Sequence, residues 1–127
     1  PTTARSSTVL VVEDELAIRE MIVNVLRDGG YEAIEASDGA VALDYVAELG
    51  DRLGAAVIDM MMPNVDGAEL VDRLNELLPA VKVVLVSGYN EREATKRITS
   101  AGLAAFVKKP FRPAELLGTL DRLLGES

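Results

Sequence analysis

Residues 55–67 read Ala55-Ala56-Val57-Ile58-Asp59-Met60-Met61-Met62-Pro63-Asn64-Val65-Asp66-Gly67. The unbroken apolar run at 55–58, ending in two β-branched residues, suits a strand buried on both faces, as in a parallel sheet. The run stops on a carboxylate, so Asp59 is expected at the carboxyl end of that strand. Asp66, followed by Gly67, stands where the N-cap of the next helix belongs.

The same pattern recurs on either side. Apolar runs at 9–12, 83–86 and 104–107 read as strands, and 31–36 is a weaker, alternating version. Between them lie stretches with helical spacing: Ile18, Met21, Ile22 and Val25; then Leu70, Val71, Leu74, Leu77 and Leu78; then Leu116, Leu120 and Leu123 behind Pro113 at a helix start. Residues 41–49 form a shorter helix. Residues 91–101 form the least amphipathic one, with only Ala94, Ile98 and Ala101 in its stripe. Gly29-Gly30, Gly50, Pro79 and Gly102 close the first four helices, and Asp38 is a second N-cap. Five strands alternating with five helices make an α/β, doubly wound parallel sheet covered on both faces. In such sheets ligands bind beyond the carboxyl ends of the strands.

Those ends carry Glu13-Asp14 after the first strand, Asp59 after the third, Ser87 after the fourth and Lys108-Lys109-Pro110 after the fifth. The end of the second, Ala36-Ser37, offers little. Three carboxylates in one small pocket repel strongly or take up protons. One lysine and one divalent cation would balance them. Ligands that are all oxygen favour Mg²⁺, with Mn²⁺ and Ca²⁺ behind it, over zinc. Each residue taken singly also has a plain structural use. Asp14 caps the first helix as readily as it binds metal, Glu13 ends a strand, Asp59 starts a loop and Ser87-Gly88 makes a turn. Asp66-Gly67 reads as a cap before it reads as a ligand. Adjacent lysines on a strand face opposite ways, so one of Lys108 and Lys109 is solvated. Their gathering on one edge favours a shared site.

Composition narrows the chemistry further. The chain of 127 residues contains no cysteine and no histidine, which removes disulfides, zinc–thiolate sites, cysteine nucleophiles and Ser-His-Asp triads. Thirteen basic residues against 21 acidic ones give a net charge of −8, which opposes direct contact with nucleic acid or anionic membrane. No apolar run approaches the ~18 residues of a membrane span, and no signal peptide is visible, so a cytoplasmic location is expected. Residues 1–7 are small and polar and read as a linker or tail, leaving one domain over 8–127.

Four motifs, in order and at strand ends, give the chain a family resemblance. They are Val11-Val12-Glu13-Asp14-Glu15, then 59–67 as quoted, then Val86-Ser87-Gly88, then Lys109-Pro110-Phe111. Over residues 8–124 the sequence resembles the receiver domain of two-component response regulators. The resemblance implies a flavodoxin-like (βα)₅ fold with strand order 2-1-3-4-5 and a Mg²⁺-dependent phosphorelay role. Asp59 matches the phosphoacceptor. Asp14 matches the acidic metal ligand and Glu13 its neighbour, with the Met61 backbone carbonyl completing the shell. Ser87 and Lys109 match the hydroxyl and ammonium that bind the phosphoryl group, and a cis peptide is common before Pro110. Ser87 and Phe106 match the switch pair. Glu13 departs from the more frequent Asp, which would place its carboxylate further out, and Phe106 departs from the more frequent Tyr. The implied partners are a histidine kinase or histidine phosphotransfer domain and a downstream output domain or protein. The isolated domain would be no enzyme beyond its own phosphorylation and dephosphorylation. The helix at 91–101, directly after Ser87, is the expected moving part.

Three rivals share features of this pattern. A flavodoxin would cradle a flavin phosphate after the first strand, where Glu13, Asp14 and Glu15 would repel it. A haloacid-dehalogenase-type phosphatase needs an Asp-x-Asp pair there, and Glu13-Asp14-Glu15 lacks it. A phosphorylation-independent interaction domain needs none of the strand-end set. The chain reads either as a stand-alone regulator or as a receiver from a larger protein. Ser87-Gly88-Tyr89 before an acidic, Arg-rich helix is similar to the receivers of hybrid histidine kinases.

Overall fold

The computed structural model describes residues 8–62, 66–96, 98 and 102–124. The expected tail at 1–7, the loop residues 63–65, most of 97–101 and the last three residues lie outside these. The elements are β1 (Thr8–Val12), α1 (Leu16–Asp28), β2 (Glu32–Ala36), α2 (Gly39–Leu49), a single 3-10 turn (Gly50–Arg52), β3 (Leu53–Asp59), α3 (Gly67–Leu77), β4 (Lys82–Ser87), α4 (Glu91–Thr95), β5 (Leu103–Lys108) and α5 (Pro113–Leu124). All four strand pairings are parallel and the order is β2-β1-β3-β4-β5, as the resemblance implies.

The unbroken apolar runs are explained by two separate cores. Successive residues of a strand face opposite sides of the sheet. Leu10, Val12, Ile58 and Leu85 therefore meet Val46, Leu70, Val71 and Leu74 on one side. Val9, Val11, Val57, Val84 and Val86 meet Ile22, Leu26, Leu116 and Leu120 on the other. β1 and β3, in the middle, are buried almost throughout.

Local signals set the helix ends. The Asp38 carboxylate accepts the Val41 N–H at 2.9 Å, and the Asp66 carboxylate accepts that of Glu69 at 2.9 Å. Both are the expected N-caps. Asn90 does the same for Glu93 at 2.8 Å. α1 closes at Gly29 and α2 at Gly50, whose φ of 50° is left-handed. Gly67 opens α3 hard against the end of β3. Its N–H reaches the Met60 carbonyl at 2.9 Å, and a Cβ there would overlap the Asp59 carbonyl oxygen and Met60 Cα.

Most boundaries differ from the sequence reading by a residue or two, as where α2 starts at Gly39 and not at Val41, and two differences have a visible cause. β3 starts at Leu53, two residues early, because Leu53 is buried beneath Val46 and its neighbours. The fourth helix is described over only five residues, of which Ala94 alone is buried. The Thr95 hydroxyl folds back onto the Glu91 carbonyl at 2.9 Å, a bond that weakens a helix interior. Ile98 still packs on the core, whereas Ala101 of the expected stripe lies outside the described residues. No described helix is long and apolar enough to cross a membrane.

Candidate functional site

Strand register brings the polar strand ends together. Val12 lies opposite Ile58, Asp59 opposite Val86, and Ser87 opposite Lys108. Glu13, Asp14, Asp59, Ser87 and the lysine pair thus share one edge. Carboxylate oxygens of Glu13, Asp14 and Asp59 all lie within 4.8 Å of one another. Glu13 and Asp59 are buried, at 2% and 5% exposure, and Asp14 is exposed.

Lys109 supplies the cation. Its Nζ lies 3.0 Å from Asp59 Oδ1 and 3.4 Å from Glu13 Oε1. Its N–H donates to the Ser87 carbonyl at 2.7 Å, and the Lys109–Pro110 peptide is cis. Lys108 points away, with its Nζ on the Gly88 carbonyl at 2.9 Å. Of the two adjacent lysines, one enters the pocket and the other is solvated, as alternation requires.

Glu13 is held at four points. Its N–H donates to the Ala36 carbonyl at 3.1 Å, and its carbonyl accepts Arg19 Nη1 at 2.9 Å. Oε2 accepts the Glu15 N–H at 3.2 Å, and Oε1 meets Lys109. The longer side chain therefore stays in the pocket and is buried. Asp14 does not cap α1: that helix starts at Leu16, and its flanking residue Glu15 makes no side-chain cap.

Ser87 is 1% exposed and Phe106 is half-buried, opposite Leu85 and against the core that contains it. Met61, two residues past Asp59, is 55% exposed at the rim. Two contributors escaped the sequence reading. Arg19 sits six residues past Glu13 and bridges its carbonyl to Glu35, with Nε–Oε1 at 3.1 Å. Met60, read only as part of a motif, touches Ser87 Oγ. Because Arg19 binds the backbone carbonyl of Glu13 and not its side chain, the sequence carried no signal for that contact.

Burial sets the electrostatics. Desolvation, helped by the Asp59 charge, raises the Glu13 carboxyl to about 7 against the pull of the Glu15 N–H and Lys109. Asp59 is also raised, by burial first and by Asp14, against Lys109. Burial pushes the Lys109 ammonium down, but the Asp59 hydrogen bond and charge, with Glu13 behind them, outweigh it and leave it raised. The sign for stability follows. Between pH ~4.5 and ~7 the unfolded chain has released the Glu13 proton and the folded protein still holds it, so stability falls as pH rises. In chelator, the protein is expected to be more stable at pH 5 than at pH 8, by roughly 2–3 kcal/mol from the Glu13 shift. Asp59 adds with the same sign, and Glu13→Gln should flatten the slope. Urea unfolding at a series of pH values measures it; a slope of opposite sign would contradict the arrangement.

Two buried acids, a third at the rim and no nitrogen or sulfur ligand form a donor set for a hard divalent cation, and Mg²⁺ fits it. The response regulator receiver domain model matches residues 9–121. Sensor kinase CckA of Brucella abortus is 37% identical over 119 residues, covering 94% of this chain and 13% of that protein. Response regulator MprA of Mycobacterium bovis is 37% identical over 122 residues, covering 94% of this chain and 51% of that protein. The chain thus spans about half the length of one relative and far less of the other. The structure of the chemotaxis protein CheY4 of Vibrio cholerae superimposes with a TM-score of 0.84 at 30% identity, over 94% of this chain and 99% of that one.

Proposed function

This chain belongs to the response regulator receiver domain family of two-component phosphorelays, and from that premise we propose that Asp59 is its phosphoacceptor. The observation that carries the assignment is the position of Asp59: buried, at a strand end, within 3.0 Å of a lysine and beside two further acids. An Asp59 oxygen forms a bond to phosphorus as the bond from phosphorus to the donor breaks, giving an acyl phosphate. Phosphoryl transfer through a loose, anionic transition state depends chiefly on positioning and charge. Lys109 supplies a positive charge that already faces the nucleophile, and Ser87 supplies a donor. A Mg²⁺ ion held by Glu13, Asp14, Asp59 and the Met61 carbonyl would supply the remaining positive charge.

The chain has no histidine, so in this reading the donor imidazole belongs to a histidine kinase or a histidine phosphotransfer domain. The phosphoryl group, near −1.5 to −2 in charge, biases the surface carried by Ser87, Phe106 and α4 toward an output domain or protein. The isolated domain turns over no other substrate. For the whole protein, likeness to the sensor kinase favours a hybrid histidine kinase with this domain on the cytoplasmic side.

Incubation with acetyl phosphate and Mg²⁺ is expected to add one phosphoryl group to the intact mass, and chelator should prevent it. No adduct under conditions where the protein remains folded would overturn the reading.

A further inference from the structure

A serine hydroxyl has one proton to donate. In this structure the Ser87 Oγ gives it to the Met60 thioether, with an O–S distance of 3.6 Å, and accepts the Tyr89 N–H at 2.9 Å. Both side chains are 1% exposed, so water does not compete for that proton. The backbones on either side are pinned together, because the Met60 N–H donates to the Val86 carbonyl at 2.9 Å. The hydroxyl turns about its Cβ–Oγ bond, so its single proton reaches another acceptor only by leaving the thioether.

We propose that Met60 is a positioning residue that holds the Ser87 proton in the unphosphorylated domain, so that a phosphoryl group on Asp59 must compete with the thioether for it. The inference rests on the reading of Asp59 as phosphoacceptor and of Ser87 as its partner. Thioether sulfur is a weak acceptor. It satisfies a buried hydroxyl, and it yields to an anionic oxygen, which forms a stronger bond. Met60 follows Asp59 directly in the chain, so nucleophile and competitor share one strand end.

Leucine at position 60 keeps the volume and removes the acceptor. The Ser87 proton is then unpaired until a phosphoryl-like ligand arrives, so binding of that ligand tightens. Fluoroberyllate with Mg²⁺ is the probe, titrated into wild type, Met60→Leu, Ser87→Ala, the double variant and Asp59→Asn. Met60→Leu is expected to lower the dissociation constant about two- to fivefold, the size of one modest hydrogen bond. In the Ser87→Ala background the same substitution should change nothing. A packing effect would persist in both backgrounds, and that persistence, or an unchanged or weaker affinity for Met60→Leu, overturns the proposal.

A second readout uses the native side chain, should Met60→Leu fail to fold. With methyl-¹³C methionine, the Met60 methyl resonance should move on addition of fluoroberyllate to wild type and should stay in place in Ser87→Ala. A stationary resonance in wild type overturns the proposal. Binding by Asp59→Asn equal to wild type would defeat the phosphoacceptor reading itself. Binding lost in Asp59→Asn with no Met60 effect would defeat this inference alone.

Discussion

Lys109→Met is expected to cost the metal-free protein roughly 2–4 kcal/mol at pH 8 and less at pH 5. Removing one partner of a buried ion pair leaves the other charge uncompensated, which is costly. Here the cation faces two carboxylates, Asp59 at 3.0 Å and Glu13 at 3.4 Å, both buried. A quarter of the lysine side chain is exposed, which places the cost toward the lower end. At pH 8 both acids are called on to ionise without their partner. At pH 5 Glu13, already raised to about 7 with Lys109 present, holds its proton, so the loss there is confined to the Asp59 pairing. Urea unfolding of both proteins in chelator at the two pH values measures the difference. An equal loss at both would mean that Lys109 acts through packing and not through charge.

Asp14→Asn should move two quantities in opposite directions. Asp14 lies within 4.8 Å of two buried carboxylates, so its removal relieves repulsion and the metal-free variant should melt above wild type. In the proposed function the same change also removes a metal ligand. On that reading Mg²⁺ binds the folded cluster and not the unfolded chain, so at 100 times its dissociation constant it would stabilise wild type by about 2.7 kcal/mol. That corresponds to a rise in melting temperature on the order of 5–15 °C. In Asp14→Asn the rise should shrink or vanish. The capping alternative is already weakened, because the residue flanking α1 is Glu15, not Asp14, and it makes no side-chain cap. Melts with Mg²⁺ and with chelator decide it, and equal Mg²⁺ shifts in the two proteins would mean that Asp14 is not a ligand.

The sheet was legible because its strands are buried on both faces and so appear as unbroken apolar runs, β1 and β3 most plainly. Once the strands were placed, their register put Glu13, Asp59, Ser87 and Lys109 on one edge with no further assumption. Even the division of labour between Lys108 and Lys109 followed from the two-residue period of a strand. The sequence was less informative where a contact depends on how a helix lies. Arg19 reaches the Glu13 carbonyl only because of the way α1 docks, and nothing in its spacing names that partner. The Glu13 side chain is held in the pocket by the Glu15 N–H and Lys109, neither of which a residue count reveals. The Ser87–Met60 contact was hidden for a related reason: Met60 figures in the sequence only as part of the 59–67 motif, and nothing there shows that its sulfur serves as an acceptor. The fourth helix was read as long from a three-residue stripe, whereas its described turns bury Ala94 alone.

Identifying the phosphorylated residue tests the central claim most directly. Borohydride converts an aspartyl phosphate to homoserine, so protein treated with acetyl phosphate and Mg²⁺, reduced and digested, carries the mark at the modified position. The expected result is homoserine at residue 59 and nowhere else. Homoserine at Asp14 or any other aspartate, with Asp59 unchanged, would contradict it.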